Sequence, residues 1–215
     1  PDDEGFFFSD GIGFGMRRLK VIDLVTGKQP MCDEDKRRTL VFNGEIYNYR
    51  EIRQSLQKKG YKFSTNCDTE VLLHGFEEYG HDLVNKLNGM FCYAVWDKEL
   101  KSLSIFRDRL GEKPLYYFYD GTSFVFASEL QAIIQSRVVD SGLNWNAVGL
   151  YLKYGYIPEP YSIYSAIKKL PAASFLNLDA KGLSIQRYWG VDYCGSDRMT
   201  PRSELVEEAH ALLVD

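Results

Sequence analysis

The sequence predicts an α+β chain in which antiparallel sheet dominates the first two thirds and helices lie over it. Three observations carry that prediction. Short strand-like runs recur at close spacing, at residues 5–8, 13–17, 39–42, 90–96, 103–107, 115–119 and 123–127, and neighbours this close in sequence pair most economically as antiparallel strands. Two other segments repeat apolar residues at helical spacing and carry end signals. Between two aromatic runs stands Asp120-Gly121, a hairpin turn because glycine accepts positive φ.

Taken in order, the runs at 90–96 and 103–106 predict a second hairpin. The first helix is expected over 49–59, with Asn48 as its cap, Glu51 completing a capping box, Ile52 and Leu56 on its buried face and Gly60 as its stop. The second is expected over 69–79, with Val71, Leu72 and Phe76 inward and Gly80 ending it. Both are placed over a sheet. After Ser128 the pattern changes to short helices at about 129–134 and 146–154, then a stretch bearing Pro158, Pro160 and Pro171, then strands at 174–178 and 183–189. Residues 191–200 read as a polar, glycine-bearing linker, and 201–214 as an amphipathic helix that begins something else. One large domain over 1–190 with a short attached piece is the organisation this implies.

Composition narrows the class. The 215 residues are 45% hydrophobic, 14% aromatic and 26% charged, as in globular proteins with a substantial core. A net charge of −4 with no block of Lys and Arg disfavours nucleic acid as a partner. No run approaches the roughly 18 apolar residues that cross a bilayer, and the acidic start is unlike a signal peptide, so a cytoplasmic location without membrane contact is expected. Cys32, Cys67, Cys92 and Cys194 are too dispersed for zinc spacing, and His74, His81 and His210 add no ligand pair. No metal site is expected, and the thiols are expected free and mostly buried.

The chemistry concentrates at Phe42-Asn43-Gly44-Glu45, where a strand ends shortly before a helix. An Asn amide beside a Gly N–H offers two neutral donors, the requirement of a developing oxyanion in acyl transfer. A plain Asn-Gly turn explains the same residues equally well. Upstream, Arg17-Arg18 leads into an apolar run; downstream, Asp68 and Glu70 open a helix. A guanidinium can clamp an α-carboxylate and a carboxylate can hold an α-ammonium, so together these groups would recognise a free amino acid. Singly, Arg18 also reads as a surface ion-pair residue and Asp68 as an ordinary N-cap.

Five motifs then occur in order: RRLKVIDL at 17–24, FNGEIYNYRE at 42–51, CDTEVLL at 67–73, LNGMFCYAVWD at 87–97 and FRDRLGEKPLYY at 106–117. Over 1–189 the chain resembles the glutaminase domain of glutamine-hydrolysing asparagine synthetases, which are class II, N-terminal-nucleophile amidotransferases. Residues 201–215 resemble the first helix of the synthetase domain that follows in that family. The resemblance implies a four-layer αββα sandwich with two mainly antiparallel sheets. It also implies that Arg18, Leu19, Lys20, Val21 and Ile22 line a glutamine pocket, with Arg18 on the α-carboxylate. Asn43 and Gly44 would form the oxyanion hole, and Glu45 and Asp68 would hold the α-ammonium. The implied activity is hydrolysis of L-glutamine to glutamate and ammonia, for ATP-dependent amidation of aspartate. The partner implied is a C-terminal synthetase domain, with a homodimer as a further assembly. ATP and Mg2+ would belong to that domain and no cofactor to this one.

Several positions depart from the family. Met16 stands where His is common and Lys20 where Ser is common. The family's nucleophile is the first residue of the mature chain, a cysteine, whereas these residues start at Pro1, so the chain alone is expected not to hydrolyse glutamine. Cys67 is rejected as a substitute because the neighbouring Asp68 disfavours its thiolate; Cys92 is read as a core strand residue and Cys32 as part of a polar loop. The family's SGGLDSS loop is likewise outside 1–215. Residues Arg107 to Tyr117 receive no catalytic role: they are read as an Arg-Asp pair and a turn supporting a hairpin, or as interface with the synthetase domain. Two other functions stay open, a catalytically silent glutamine-sensing or docking module and an amidotransferase for a different carboxylate. Relatives serving sugar or purine pathways are disfavoured by the segment after Trp189.

Overall fold

The computed structural model describes residues 2–9, 11–18, 27–140, 142–191 and 200–214. Among the described residues eleven strands fall into three antiparallel sheets: β1 (Asp3–Ser9) with β2 (Ile12–Arg18); a six-stranded sheet; and a three-stranded sheet. The six-stranded sheet runs in the order β11 (Gly182–Arg187), β10 (Ser174–Asp179), β6 (Ser102–Arg107), β5 (Gly89–Asp97), β4 (Arg38–Ile46) and β3 (Met31–Cys32). The three-stranded sheet is β8 (Phe124–Ala127), β7 (Tyr116–Tyr119) and β9 (Lys168–Lys169).

Side-chain parity explains how these stack. In β4, Leu40 and Phe42 face one core and Val41 the other; in β5, Phe91, Tyr93 and Val95 alternate with Cys92 and Ala94 in the same way. Strands buried on both faces read as unbroken apolar runs, which is the pattern at 39–42 and 90–96. The first core lies between the six-stranded sheet and helices α1 (Tyr49–Lys58) and α2 (Asp68–Tyr79). At its centre Phe106 stacks on Tyr93, ring centroids 4.5 Å apart, and on Phe175. The second core lies between that sheet and Phe7, Phe14, Tyr117, Phe124 and Phe126 of the smaller ladders. On their far side, Tyr116, Phe118 and Val125 pack with Ile133 of helix α3 (Leu130–Gln135). The result is the helix, sheet, sheet, helix order that the family resemblance implies, its second sheet made of two ladders. Helix α4 (Trp145–Tyr154) buries Ala147, and helix α5 (Arg202–Val214) buries none of its residues. Among the described residues no helix is long and apolar enough to cross a membrane.

Both hairpins form as expected, β5 with β6 and β7 with β8. Asp120 Oδ1 accepts from Thr122 and Ser123 N–H, and Gly121 takes φ +96°.

Four expectations need correction. Asn48 makes no side-chain cap to α1. Its amide instead donates to Lys86 O (3.0 Å) and accepts from Asn88 N (2.9 Å), clipping the β4–α1 turn to the entry of β5. Asp68 is the first residue of α2, with Cys67 as N-cap. Cys32 lies in β3, its thiol 3.4 Å from Thr39 Oγ1, and not in a loop. Arg107 and Asp108 are buried but serve a loop. The Asp108 carboxylate accepts from the N–H groups of Phe91, Leu110, Glu112 and Lys113, while Arg107 donates to the carbonyls of Gly111 and Lys113 and pairs with Glu159. The backbone of 108–113 is thus held through its donors by one side chain and its acceptors by the next.

Candidate active site

Alternation in β2 decides which arginine of the pair turns inward. Phe14, Met16 and Arg18 share a face, and Arg17 takes the other, where it stands exposed 3.8 Å from Glu4. Arg18 enters a cleft of about 310 Å³ that is also lined by Asn43, Gly44, Glu45 and Asp68. The structure therefore brings together all the predicted site residues it describes; Leu19, Lys20, Val21 and Ile22 lie outside the described residues. The Arg18 side chain is 10% exposed, with Asp3 Oδ2 3.9 Å from its Nε. Its Nε and Nη2 are buried without a hydrogen-bond partner among the described residues. Buried donors of that kind are rare because each forfeits its hydration, and an anion entering the cleft would satisfy both.

The opposite wall is β4, whose hydrogen-bond phase can be read from the register. Tyr47 N–H donates to Asn88 O across the β4–β5 ladder. Stepping back by two puts residues 45, 43 and 41 in hydrogen-bonded pairs and leaves the N–H groups of 46, 44 and 42 directed away from β5. Phe42 N–H goes to Gln29 Oε1 at 2.7 Å and Ile46 N–H to Asp68 Oδ2 at 3.2 Å. Between them Gly44 N–H faces the cleft, and β3 does not reach it, since β3 pairs only with Leu40 and Thr39. Glycine is required there: φ is +154°, and a Cβ would stand 2.1 Å from Met90 O. Asn43 turns to the inter-sheet side, where its Nδ2 donates to Ser128 Oγ at 3.0 Å. Two neutral N–H sources, one backbone and one side chain, so line one wall.

Asp68 is 6% exposed. Burial pushes its carboxyl above the usual range, and the Glu45 charge adds to that, against hydrogen bonds from Ile46 N–H and the first N–H groups of α2. A cation between Glu45 and Asp68 would relieve both effects. Neighbouring Glu70 serves structure. Burial alone would raise its carboxyl, but the N–H and hydroxyl groups of Ser64 and Thr65 outweigh it and hold the carboxyl low. That clamp fixes the turn that presents Cys67 and Asp68.

A family model described as a glutamine amidotransferase domain matches residues 1–189. The chain belongs to the glutamine amidotransferase domain family. Among relatives of this amidotransferase domain, asparagine synthetase [glutamine-hydrolyzing] 1 of Bacillus subtilis is 35% identical over 216 residues, covering 100% of this chain and 34% of its own length. The putative asparagine synthetase [glutamine-hydrolyzing] 2 of Methanocaldococcus jannaschii is 37% identical over 236 residues, covering 100% of this chain and 45% of its own. The amidotransferase domain thus spans about a third to a half of these relatives. In fold it is similar to the glutamine phosphoribosylpyrophosphate amidotransferase of B. subtilis, with TM-score 0.57 and 21% identity over 82% of this chain and 35% of that one.

The amidotransferase cleft also contains residues that sequence reasoning passed over. Gln29 bridges two elements, accepting from Phe42 N–H and donating to Thr69 Oγ1 at 3.3 Å. Met90 and Lys113 line the cleft from the start of β5 and from the clamped loop. None stands in a motif that signals a ligand; Lys113 was visible only within a segment read as structural. The thiols of Cys67 and Cys92 fit their expected roles, whereas Cys32 is exposed and Cys194 lies outside the described residues. Cys67 is buried, 2.9 Å from Thr65 Oγ1, and burial first, then the Asp68 and Glu70 charges, push its thiol up. Cys92 is buried in β5, where desolvation raises its thiol further.

Proposed function

We propose that the cleft binds L-glutamine and polarises its side-chain amide. The α-carboxylate pairs with the unsatisfied Nε and Nη2 of Arg18, the α-ammonium sits against Glu45 and Asp68, and the γ-carbonyl oxygen points to Gly44 N–H and the Asn43 amide. The observation that carries this reading is the Gly44 N–H, left without a ladder partner among the described residues by strand phase and facing the same space as the buried guanidinium.

In the reaction, a cysteine thiolate attacks the side-chain amide carbon, Cδ, and the carbonyl π electrons move to oxygen. The two donors meet that negative charge as it forms, where they stabilise the transition state most. Collapse with a proton on nitrogen releases ammonia and leaves a thioester, and water then frees glutamate. The thiol arrangements at Cys67 and Cys92 keep both out of this role. These residues supply the half of the active site that holds and polarises the amide.

The relatives named as glutamine-hydrolysing asparagine synthetases support aspartate as the ammonia acceptor, with a synthetase domain as partner. Activation of that acceptor by ATP with Mg2+ belongs to the partner domain.

Calorimetric titration with L-glutamine and with glutaramic acid, which lacks the α-amino group, tests both ends of the pocket. L-Glutamine should bind and glutaramic acid should bind more weakly. Equal affinity would remove Glu45 and Asp68 from recognition, and no binding of either would reject the pocket.

A further inference from the structure

Asn43 can serve an oxyanion only if its side-chain amide presents nitrogen, not oxygen, to the reacting carbonyl. Nothing in the amide itself fixes that choice, because its two ends are nearly the same shape. The residue also stands at a seam, with β4 in one sheet and the inter-sheet space beside it. On the other side of the seam, Phe124 and Phe126 of β8 face that space, and continuing the period of two puts Ser128 on the same stripe, one step past the strand. Ser128 Oγ there accepts from Asn43 Nδ2 at 3.0 Å, a contact between residues 85 apart in sequence. One amide hydrogen is thereby committed to the second sheet, and the other hydrogen on the same nitrogen stays available to the cleft.

We infer that Ser128 is a positioning residue for amide hydrolysis, holding the Asn43 amide with its nitrogen turned to the oxyanion. This rests on the reading of Asn43 and Gly44 as the oxyanion hole. The serine does not line the cleft among the described residues. Its effect runs through Asn43, and because the hydroxyl lies on the smaller sheet, it also makes the donor's aim depend on how the two sheets are docked. Gly44, aimed by its own backbone, needs no such partner.

The consequences separate from those of a merely structural serine. In the full-length glutamine-hydrolysing enzyme, Ser128→Ala should lower kcat for glutamine hydrolysis about five- to tenfold, the effect of one lost hydrogen bond on the transition state, with KM nearly unchanged. Ser128→Thr, which keeps the hydroxyl, should restore most of the rate. Combined with Asn43→Ala, the Ser128→Ala change should cost nothing further, because its target is already gone. A melting curve and glutamine affinity for each variant establish that it is folded and binding. If Asn43→Ala lowers kcat while Ser128→Ala does not, the positioning role is wrong and the oxyanion assignment stands. If Asn43→Ala itself leaves kcat unchanged, the oxyanion assignment fails first. Additive losses in the double variant would also overturn the positioning role.

Discussion

At Arg18 two guanidinium nitrogens lie out of solvent with no acceptor among the described residues, a state that costs free energy until an anion arrives. Arg18→Ala should therefore weaken L-glutamine binding by about 1.5 to 3 kcal/mol, the range for a charge-assisted hydrogen bond, without lowering the melting temperature of the unliganded chain. Calorimetry and thermal melts check the two halves. In the full-length enzyme, Asn43→Ala should act on rate instead, lowering kcat by about 10² to 10³, as loss of one oxyanion donor does, with little change in KM. Asp68 gives a pH test. Its carboxyl is raised in the folded chain by burial, so the folded state holds a proton more readily than the unfolded state. Its ionisation then weakens the unliganded fold above that raised pKa, and the penalty fades as pH falls through it. Asp68→Asn should raise the melting temperature at neutral pH, and the gap to the parent chain should shrink on acidification. Glutamine affinity should fall in the same variant, because the α-ammonium loses its anion. Lower stability at neutral pH in Asp68→Asn would contradict this. Arg18 and Asn43 were candidates in the sequence through the ordered motifs around them, since singly each reads equally well as a surface ion-pair residue or a turn. Gln29 and Ser128 were not, since a lone polar residue far away in sequence gives no sign of which strand it will meet.

Among the elements, the segment 108–113 shows a loop stabilised from within the core. Asp108 is 1% exposed and Arg107 6%, and their hydrogen bonds go to opposite polarities of the same backbone turn. Removing Asp108 strands the buried Phe91 N–H and three part-buried N–H groups of the loop at once, so Asp108→Ala should cost about 3 kcal/mol of stability, read as a shift in urea midpoint. It should also lower turnover, because Lys113 and, through Phe91 N–H, the start of β5 border the cleft. A midpoint within experimental error of the parent would show the loop holding without its clamp. The sequence showed the adjacency of Arg107 and Asp108 and suggested that they pair; Arg107 ends β6 and Asp108 lies just past it, and each side chain is taken up by backbone groups of the loop in place of the other. Asn48 failed as a cap for a related reason: Lys86 and Asn88 offered its amide two better-placed partners. The α-helices and the longer strands were legible from period and end signals. The two-residue strands β3 and β9 were not, because pairing across space defines them and composition does not.

For the whole molecule, the order of layers places the cleft. The central strands β4 and β5 of the six-stranded sheet are buried on both faces and carry two apolar stripes, and their end opens where β2 crosses with Arg18. The α+β class was visible in the sequence, whereas the split of the second sheet into two ladders was not, since apolar alternation does not say which strands share an edge. Phe106, fully buried and stacked between Tyr93 and Phe175, ties strands β5, β6 and β10 together. Phe106→Ala should cost about 3 to 5 kcal/mol, a large part of the roughly 5 to 15 kcal/mol typical of a domain, as equilibrium denaturation would show. The central claim, that one cleft holds both ends of glutamine, is tested most directly by a crystal structure of the chain with L-glutamine. It should show the α-carboxylate within hydrogen-bond distance of Arg18 Nε and Nη2, the ammonium beside Glu45 and Asp68, and the γ-carbonyl oxygen on Gly44 N–H. Glutamine bound elsewhere, or bound in the cleft with its amide turned away from Gly44, would contradict it.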